Sequence, residues 1–167
     1  CPSRGLGDVY KRQAEADMST AWAGGIIAVH AFQLALMSEE AQREVYENDP
    51  NTLISSSYNP VGARAEMCEG GFMLHGRWGW SSGSDHCTWA LLGGVIPGDG
   101  YRTFLVPRSD YAIEDTWDVM GLQGTGSNDV VIAEPIFVPE HRTHKQMDGF
   151  NCVNDQDNPM YLSLIHI

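Results

Sequence analysis

The sequence predicts an α+β fold, in which the end of a helical domain leads into an antiparallel β-barrel-like domain. Two observations carry that expectation. Residues 19–36 are apolar on nearly all sides, as in a buried helix. Beyond residue 51, short segments rich in Val, Ile, Phe and Trp alternate with Gly, Pro and Asp turns, the pattern of an antiparallel barrel or sandwich.

Each element has its own warrant. In the first helix, Ile26, Ile27, His30, Phe32 and Leu34 are distributed around the axis. Gly24 and Gly25 each cost roughly 1 kcal/mol of helix stability relative to Ala, a loss usually tolerated where a backbone or ligand comes close. A second helix fits 39–47, with Ser38 as its N-cap, Glu39 and Glu40 favoured by the positive end of its dipole, and Asn48-Asp49-Pro50-Asn51 as its stop. Strands are expected at 52–57, 64–68, 72–80, 87–96, 101–106, 111–117 and 129–138. Glu69-Gly70-Gly71 and Pro97-Gly98-Asp99-Gly100 supply hairpin-type turns. The tail from 143 to 161 is polar, without a clear period.

The organisation follows. Residues 14–50 read as the end of a helical domain, 51–142 as the β domain, and 143–161 as a linker. Residues 1–13 show no helical or strand period and, like 162–167, resemble translated sequencing-adapter sequence, so both ends stand outside the fold.

A net charge of −12 argues against duplex nucleic acid as a partner, because phosphate binding needs clustered Lys and Arg. No apolar run approaches the roughly 20 residues that span a bilayer, so no membrane partner is expected and the chain reads as soluble. The cysteines at 1, 68, 87 and 152 form no CxxC pair and nothing resembles a secretory signal. Together these favour a reduced, cytoplasmic compartment and no metal site.

Three constellations could carry chemistry. In Arg77-Trp78-Gly79-Trp80-Ser81-Ser82-Gly83, two aromatics near a strand end precede hydroxyls and a glycine. Indole offers a stacking surface and a serine hydroxyl can donate to or accept from a ring nitrogen, which suits a flat aromatic ligand. On composition alone, both tryptophans also fit a core or barrel rim and the serines a turn. In Gly121-Leu122-Gln123-Gly124-Thr125-Gly126-Ser127 the glycines invite a phosphate-loop reading. However, 129–132 reads as a strand, so a tight β connection fits better than a dinucleotide turn, which must open a helix. Among the histidines, His30 stands out within an apolar helix and needs a partner if buried. His86 follows Asp85, but adjacent strand residues point to opposite faces, which favours a structural role. His141 and His144 lie in a charged stretch and are expected on the surface. No nucleophile elbow or carboxylate pair supports a hydrolase.

The segment 71–83 (GFMLHGRWGWSSG) resembles the central strand motif of the acyl-CoA dehydrogenase superfamily. Its continuation into Ser82-Gly83-Ser84-Asp85-His86-Cys87 is similar to the oxygenase components of two-component flavin monooxygenases. These act on 4-hydroxyphenylacetate or on the phenolic seco-steroid of bacterial steroid breakdown, and the second is the closer match. Ala28-Val29-His30, Gln33-Leu34-Ala35-Leu36, Ser55-Ser56-Ser57-Tyr58 and Val119-Met120-Gly121-Leu122 extend the likeness over most of 20–142.

The resemblance implies a bacterial, cytoplasmic, homotetrameric oxygenase of the acyl-CoA dehydrogenase fold. A separate flavin reductase would supply its reduced flavin, FMNH2 or FADH2. Reaction with O2 would give a flavin C4a-hydroperoxide that ortho-hydroxylates a phenolic substrate. Position by position, Trp80 would flank the isoalloxazine, and Ser82 would sit near its N5, with Ser81 the lesser candidate. Ser56 and Ser57 would lie at the flavin and substrate edge. His30 would approach the substrate phenol, and Thr125 and Ser127 match a Gly-x-Gly-Ser segment of the cofactor side. His30 and Ser82 are thus the catalytic candidates. The family's C-terminal four-helix domain, source of a further histidine, is missing from the chain, which is therefore expected to be partial and inactive alone.

Two departures bear on the substrate. Where acyl-CoA dehydrogenases carry Thr-Glu-Pro-x-Ala-Gly-Ser-Asp, this chain has Ser57-Tyr58-Asn59-Pro60-Val61-Gly62-Ala63-Arg64, which argues against acyl-CoA; Arg77 stands at the usual Lys. The rival readings are an acyl-CoA dehydrogenase or oxidase of the same fold, and a non-catalytic β-barrel binding module.

Overall fold

A computed structural model describes residues 14–145. The expectations for 1–13, for 162–167 and for most of the linker lie outside those residues. Helix α1, Met18–Leu34, starts where Asp17 accepts from Ser19 N at 3.0 Å, the usual side-chain satisfaction of an orphan N–H. Helix α2, Glu39–Tyr46, is capped by Ser38, whose Oγ accepts from Ala41 N at 3.2 Å, with Glu39 and Glu40 in its first turn.

Eight strands follow among the described residues: β1 Ile54–Ser57, β2 Ala63–Cys68, β3 Gly71–Ser81, β4 Trp89–Ile96, β5 Gly100–Pro107, β6 Ala112–Glu114, β7 Asn128–Pro139 and β8 Thr143–Lys145. They form two four-stranded sheets, ordered β1-β4-β5-β8 and β2-β3-β7-β6. The fold is α+β, but the expected antiparallel barrel is corrected on two counts. Among the described residues no backbone ladder joins the two sheets, so no barrel closes, and β1 runs parallel to β4. Parallel pairing needs a crossover rather than a hairpin, and the chain obliges by running through β2 and β3 of the other sheet before β4.

Burial explains the layering. Phe72, Leu74 and Trp78 of β3, Ala90, Leu92 and Ile96 of β4, Phe104 and Val106 of β5, and Val130, Ile132 and Val138 of β7 meet between the sheets. On the opposite face of the first sheet, Ile54, Leu91 and Leu105 pack under Leu34, Met37, Ala41 and Val45 from the helical segment. The first sheet is therefore covered on both sides, which is why β4 reads as an almost continuous apolar run.

Several local expectations change. Helix α1 is not buried all round: only Ala21, His30 and Leu34 are buried, while Met18 and Trp22 are exposed. A Cβ on Gly24 would meet nothing within 4 Å, so no close approach explains that glycine. Ser84–His86 is a 3-10 turn, launched by Gly83 at φ +71°, so the strand argument for His86 does not apply; the side chain is exposed. Strand β6 stops at Glu114 because Asn128 Oδ1 takes the N–H groups of Thr116 and Trp117 at 3.2 and 3.3 Å, leaving the ladder without its donors. Residues 143–145, the start of the polar tail, pair with β5.

Candidate functional site

The Trp-Ser-Ser-Gly segment separates its two tryptophans completely. Trp78 is fully buried between the sheets, and its Nε1 donates to Gly93 O at 2.7 Å. Trp80 is 74% exposed. The β3–β7 register shifts between Trp78 and Ser81, and within that bulge Trp80 adopts φ +63°. A bulky residue in left-handed backbone costs on the order of 1–2 kcal/mol, and bulges re-aim side chains beside functional sites. The strained backbone turns one indole outward while Ser81 and Ser82 turn in. Ser81 Oγ is buried and has no hydrogen-bond partner among the described residues.

Ser82 is held from three sides. Its backbone N–H donates to Trp80 O at 3.1 Å. Its Oγ accepts from Trp22 Nε1 at 3.2 Å and lies 2.8 Å from Ser127 Oγ. Ser127 Oγ is in turn 2.7 Å from Thr125 Oγ1, which donates to Leu122 O at 2.9 Å. The glycine-rich connection is a β connection, as expected, with a short 3-10 turn at Gln123–Thr125 before β7. Gly83 N–H donates to Thr125 O at 2.9 Å, locking that connection to the Ser82 turn. Thr125 and Ser127 are buried with their hydroxyls engaged in this chain. Trp22 escaped the sequence reading, since nothing in helical periodicity ties it to a residue 60 positions away.

A second network forms around His30. Its Nδ1 lies 2.7 Å from Ile54 O and its Nε2 lies 2.8 Å from Ser56 Oγ. A carbonyl can only accept, so Nδ1 carries the proton, and Ser56 donates to the lone pair of Nε2. Burial holds the imidazole below its ordinary value of 6.5, against a smaller opposing effect of the Ile54 bond, so the ring is neutral at neutral pH. Tyr58 stands edge-on to His30 at 6.3 Å, and its hydroxyl donates to Gln33 Oε1; burial pushes its pKa up. Ser57 Oγ donates to Gly79 O at 2.6 Å, joining β1 to the backbone just before Trp80.

Helix α1 thus touches both networks, through Trp22 and through His30. Eight residues at 1.5 Å rise put these about 12 Å apart along the axis. Gly83 seats the helix, since a Cβ there would lie 2.7 Å from Ile27 Cδ1.

A cavity of about 250 Å³, lined by Gln33, Leu36, Met37, Tyr58, Tyr101 and Thr103 among others, adjoins the second network at Tyr58 and Gln33. His141 is not a free surface residue: it is half-buried, with Nε2 2.9 Å from Glu44 Oε1, and Glu44 also accepts from Arg142 Nε. Glu40, Glu44 and His141 are near enough to share a cation. Arg142 already neutralises Glu44, which gives that cluster an ion-pair explanation.

The chain has relatives. It is 50% identical over 136 residues to the oxygenase subunit HsaA of a flavin-dependent monooxygenase from Rhodococcus jostii, covering 79% of this chain and 35% of that one. It is 37% identical over 139 residues to the oxygenase component of p-hydroxyphenylacetate 3-hydroxylase from Acinetobacter baumannii, covering 81% and 32%. The crystal structure of 3-HSA hydroxylase from Rhodococcus sp. RHA1 superposes with a TM-score of 0.86 at 43% identity, covering 96% of this chain and 44% of that one. The chain spans about a third of the length of the curated relatives it matches. No protein-family profile matches the sequence.

Proposed function

We propose, from the premise that the chain belongs with the oxygenase components of flavin-dependent monooxygenases, that it forms one wall of a site where a phenolic ring is hydroxylated. The observation that carries this reading is the β3 bulge, where an outward indole at strained backbone adjoins two buried hydroxyls, that of Ser82 anchored and that of Ser81 without a partner among the described residues. That arrangement fits a flavin: Trp80 offers a face for the isoalloxazine, and the Oγ atoms of Ser81 and Ser82 retain unused hydrogen-bonding capacity. Reduced flavin, delivered by a separate reductase, would supply the two electrons that activate O2.

The residues of this chain have distinct tasks. Ser82 holds the proton on flavin N5 by accepting a hydrogen bond from it. Ser57, tied to the backbone before Trp80, fixes the edge between flavin and substrate. Ser56 meets the phenol hydroxyl. With its own proton given to His30 Nε2, its oxygen is free to accept from the phenol, whose pKa near ~10 requires a base at neutral pH. His30, kept neutral by burial, receives the proton through Ser56. A homotetramer with a further helical layer belongs to the same proposal, and the open apolar side of α1 supports such a layer.

In the full-length protein supplied with reductase, NADH and a phenol, Ser82→Ala should divert reducing equivalents to hydrogen peroxide. The ratio of hydroxylated product to NADH consumed is expected to fall at least several-fold. An unchanged ratio would remove Ser82 from this role.

A further inference from the structure

Trp22 and Ser82 stand far apart in the chain and meet through one hydrogen bond, from the indole Nε1 to Oγ at 3.2 Å. The backbone that carries the indole is seated on both sides of it. A Cβ on Gly124 would lie 3.1 Å from Ser19 Cβ and one on Gly83 2.7 Å from Ile27 Cδ1, so α1 rests directly on the turn before β7 and on the turn after β3. Asp17 caps the same helix at its start. An indole N–H can only donate, so Ser82 must turn a lone pair toward Trp22. That requirement holds whichever of Ser82 and Ser127 donates across their 2.8 Å contact. Ser127 is the looser restraint, because a hydroxyl proton swings about its C–O bond, whereas an indole N–H points where its ring points. With both contacts made, Ser82 Oγ keeps one hydrogen-bonding position, and Trp22 decides where it is aimed. Trp22 is 50% exposed, so core packing alone does not account for an indole at this place.

We infer that Trp22 is a positioning residue for the proposed hydroxylation: its N–H holds Ser82 Oγ in the one orientation that leaves its remaining position facing the cofactor. On the reading that Ser82 faces flavin N5, on which this rests, that orientation sets how long the N5 proton is kept and how little reduced flavin is lost to peroxide. Without the indole N–H, the serine side chain has three staggered positions to sample, and the share of time spent aimed at N5 falls. Trp22 therefore acts through Ser82. The same helix carries His30 eight residues on, so a single element aims the hydroxyl at the flavin and the base at the phenol.

The test is the rate at which hydrogen peroxide is released when the full-length protein, loaded anaerobically with photoreduced FMN or FAD, is mixed with aerated buffer; no phenol is needed. Ser82→Ala should speed release. Trp22→Phe keeps an aromatic ring on the helix but removes the donor, and is expected to speed release about fivefold, the kinetic size of one lost hydrogen bond. In the Ser82→Ala background the same Trp22→Phe change should alter the rate by less than about 1.5-fold, because a residue acting through Ser82 has nothing left to act on. Ile27→Ala, which loosens the seat of α1 and leaves the N–H in place, should lower the thermal midpoint and hold the rate within about twofold of the parent. A Trp22→Phe effect of equal size in both backgrounds would mean that Trp22 acts on the flavin directly, and an Ile27→Ala effect as large would mean that general loosening is enough; either overturns the inference. It is equally overturned if Ser82→Ala speeds release while Trp22→Phe does not, an outcome that leaves the N5 reading standing. If Ser82→Ala leaves the rate unchanged, the N5 reading fails and the inference falls with it.

Discussion

At the scale of single residues, His30 ties chemistry to stability. Its imidazole is buried, held below 6.5 by desolvation, and satisfied at both nitrogens. An unfolded chain binds that proton near pH 6.5 and the folded chain only at lower pH, so between those values the unfolded state holds more protons. The stabilisation is therefore complete above about pH 6.5 and is lost as pH falls toward the folded value. The carboxylates of Glu44 and Asp99, whose hydrogen bonds to arginine hold them below 4.5 and 3.8, enter only under more acid conditions. Thermal unfolding between pH 7.5 and 5 should show a falling midpoint, and His30→Asn, which can still donate to Ile54 O, should flatten that slope. Equal slopes in parent and variant would mean that His30 does not titrate in this window. The need of His30 for a partner was legible in the sequence; the identity of that partner was not. Ser56 and Ile54 come from a strand whose placement over α1 no local pattern records.

Among the elements, the strands were legible because their apolar runs are bounded by turn residues, and most begin or end within two residues of expectation. What stayed hidden depended on distant partners. Strand β6 is cut short by a side chain from β7, and Ser84–His86 is a turn because Gly83 takes a left-handed conformation. The tail residues 143–145 become a strand because β5 has an unpaired edge to offer. The two tryptophans had equal claims to core or site until the bulge assigned one to each. Close approach between elements is carried by Gly93 of β4. A Cβ there would sit 2.2 Å from Tyr58 O and 2.4 Å from the Tyr101 hydroxyl. Gly93→Ala should cost about 1–3 kcal/mol by denaturant unfolding, through displacement of the segment that follows β1. A loss below about 0.5 kcal/mol would show that β1 and β5 yield more readily than their packing implies.

At the scale of the whole molecule, two packed sheets with helices on one of them could be foreseen only as a class. A barrel and a sandwich share the same strand pattern, and what separates them is whether the edge strands pair. That depends on the assembled sheets rather than on any segment alone. The parallel pairing of β1 with β4 also has a consequence in time. The β2–β3 and β4–β5 hairpins join neighbours across short turns, whereas Ile54 must find Trp89 and Ser82 must find Ser127, 45 residues on. Loop closure favours the hairpins first, so the scaffold precedes the chemistry in the order of assembly. Native-state hydrogen exchange should retrace that order: the amides of Ser56 and Gly83 should exchange before those in the middle of β4 and β5, and uniform protection would refute it. By the same order the proposed flavin wall sets after the hairpins and loosens before them, so a bound cofactor would close the fold as well as serve its chemistry.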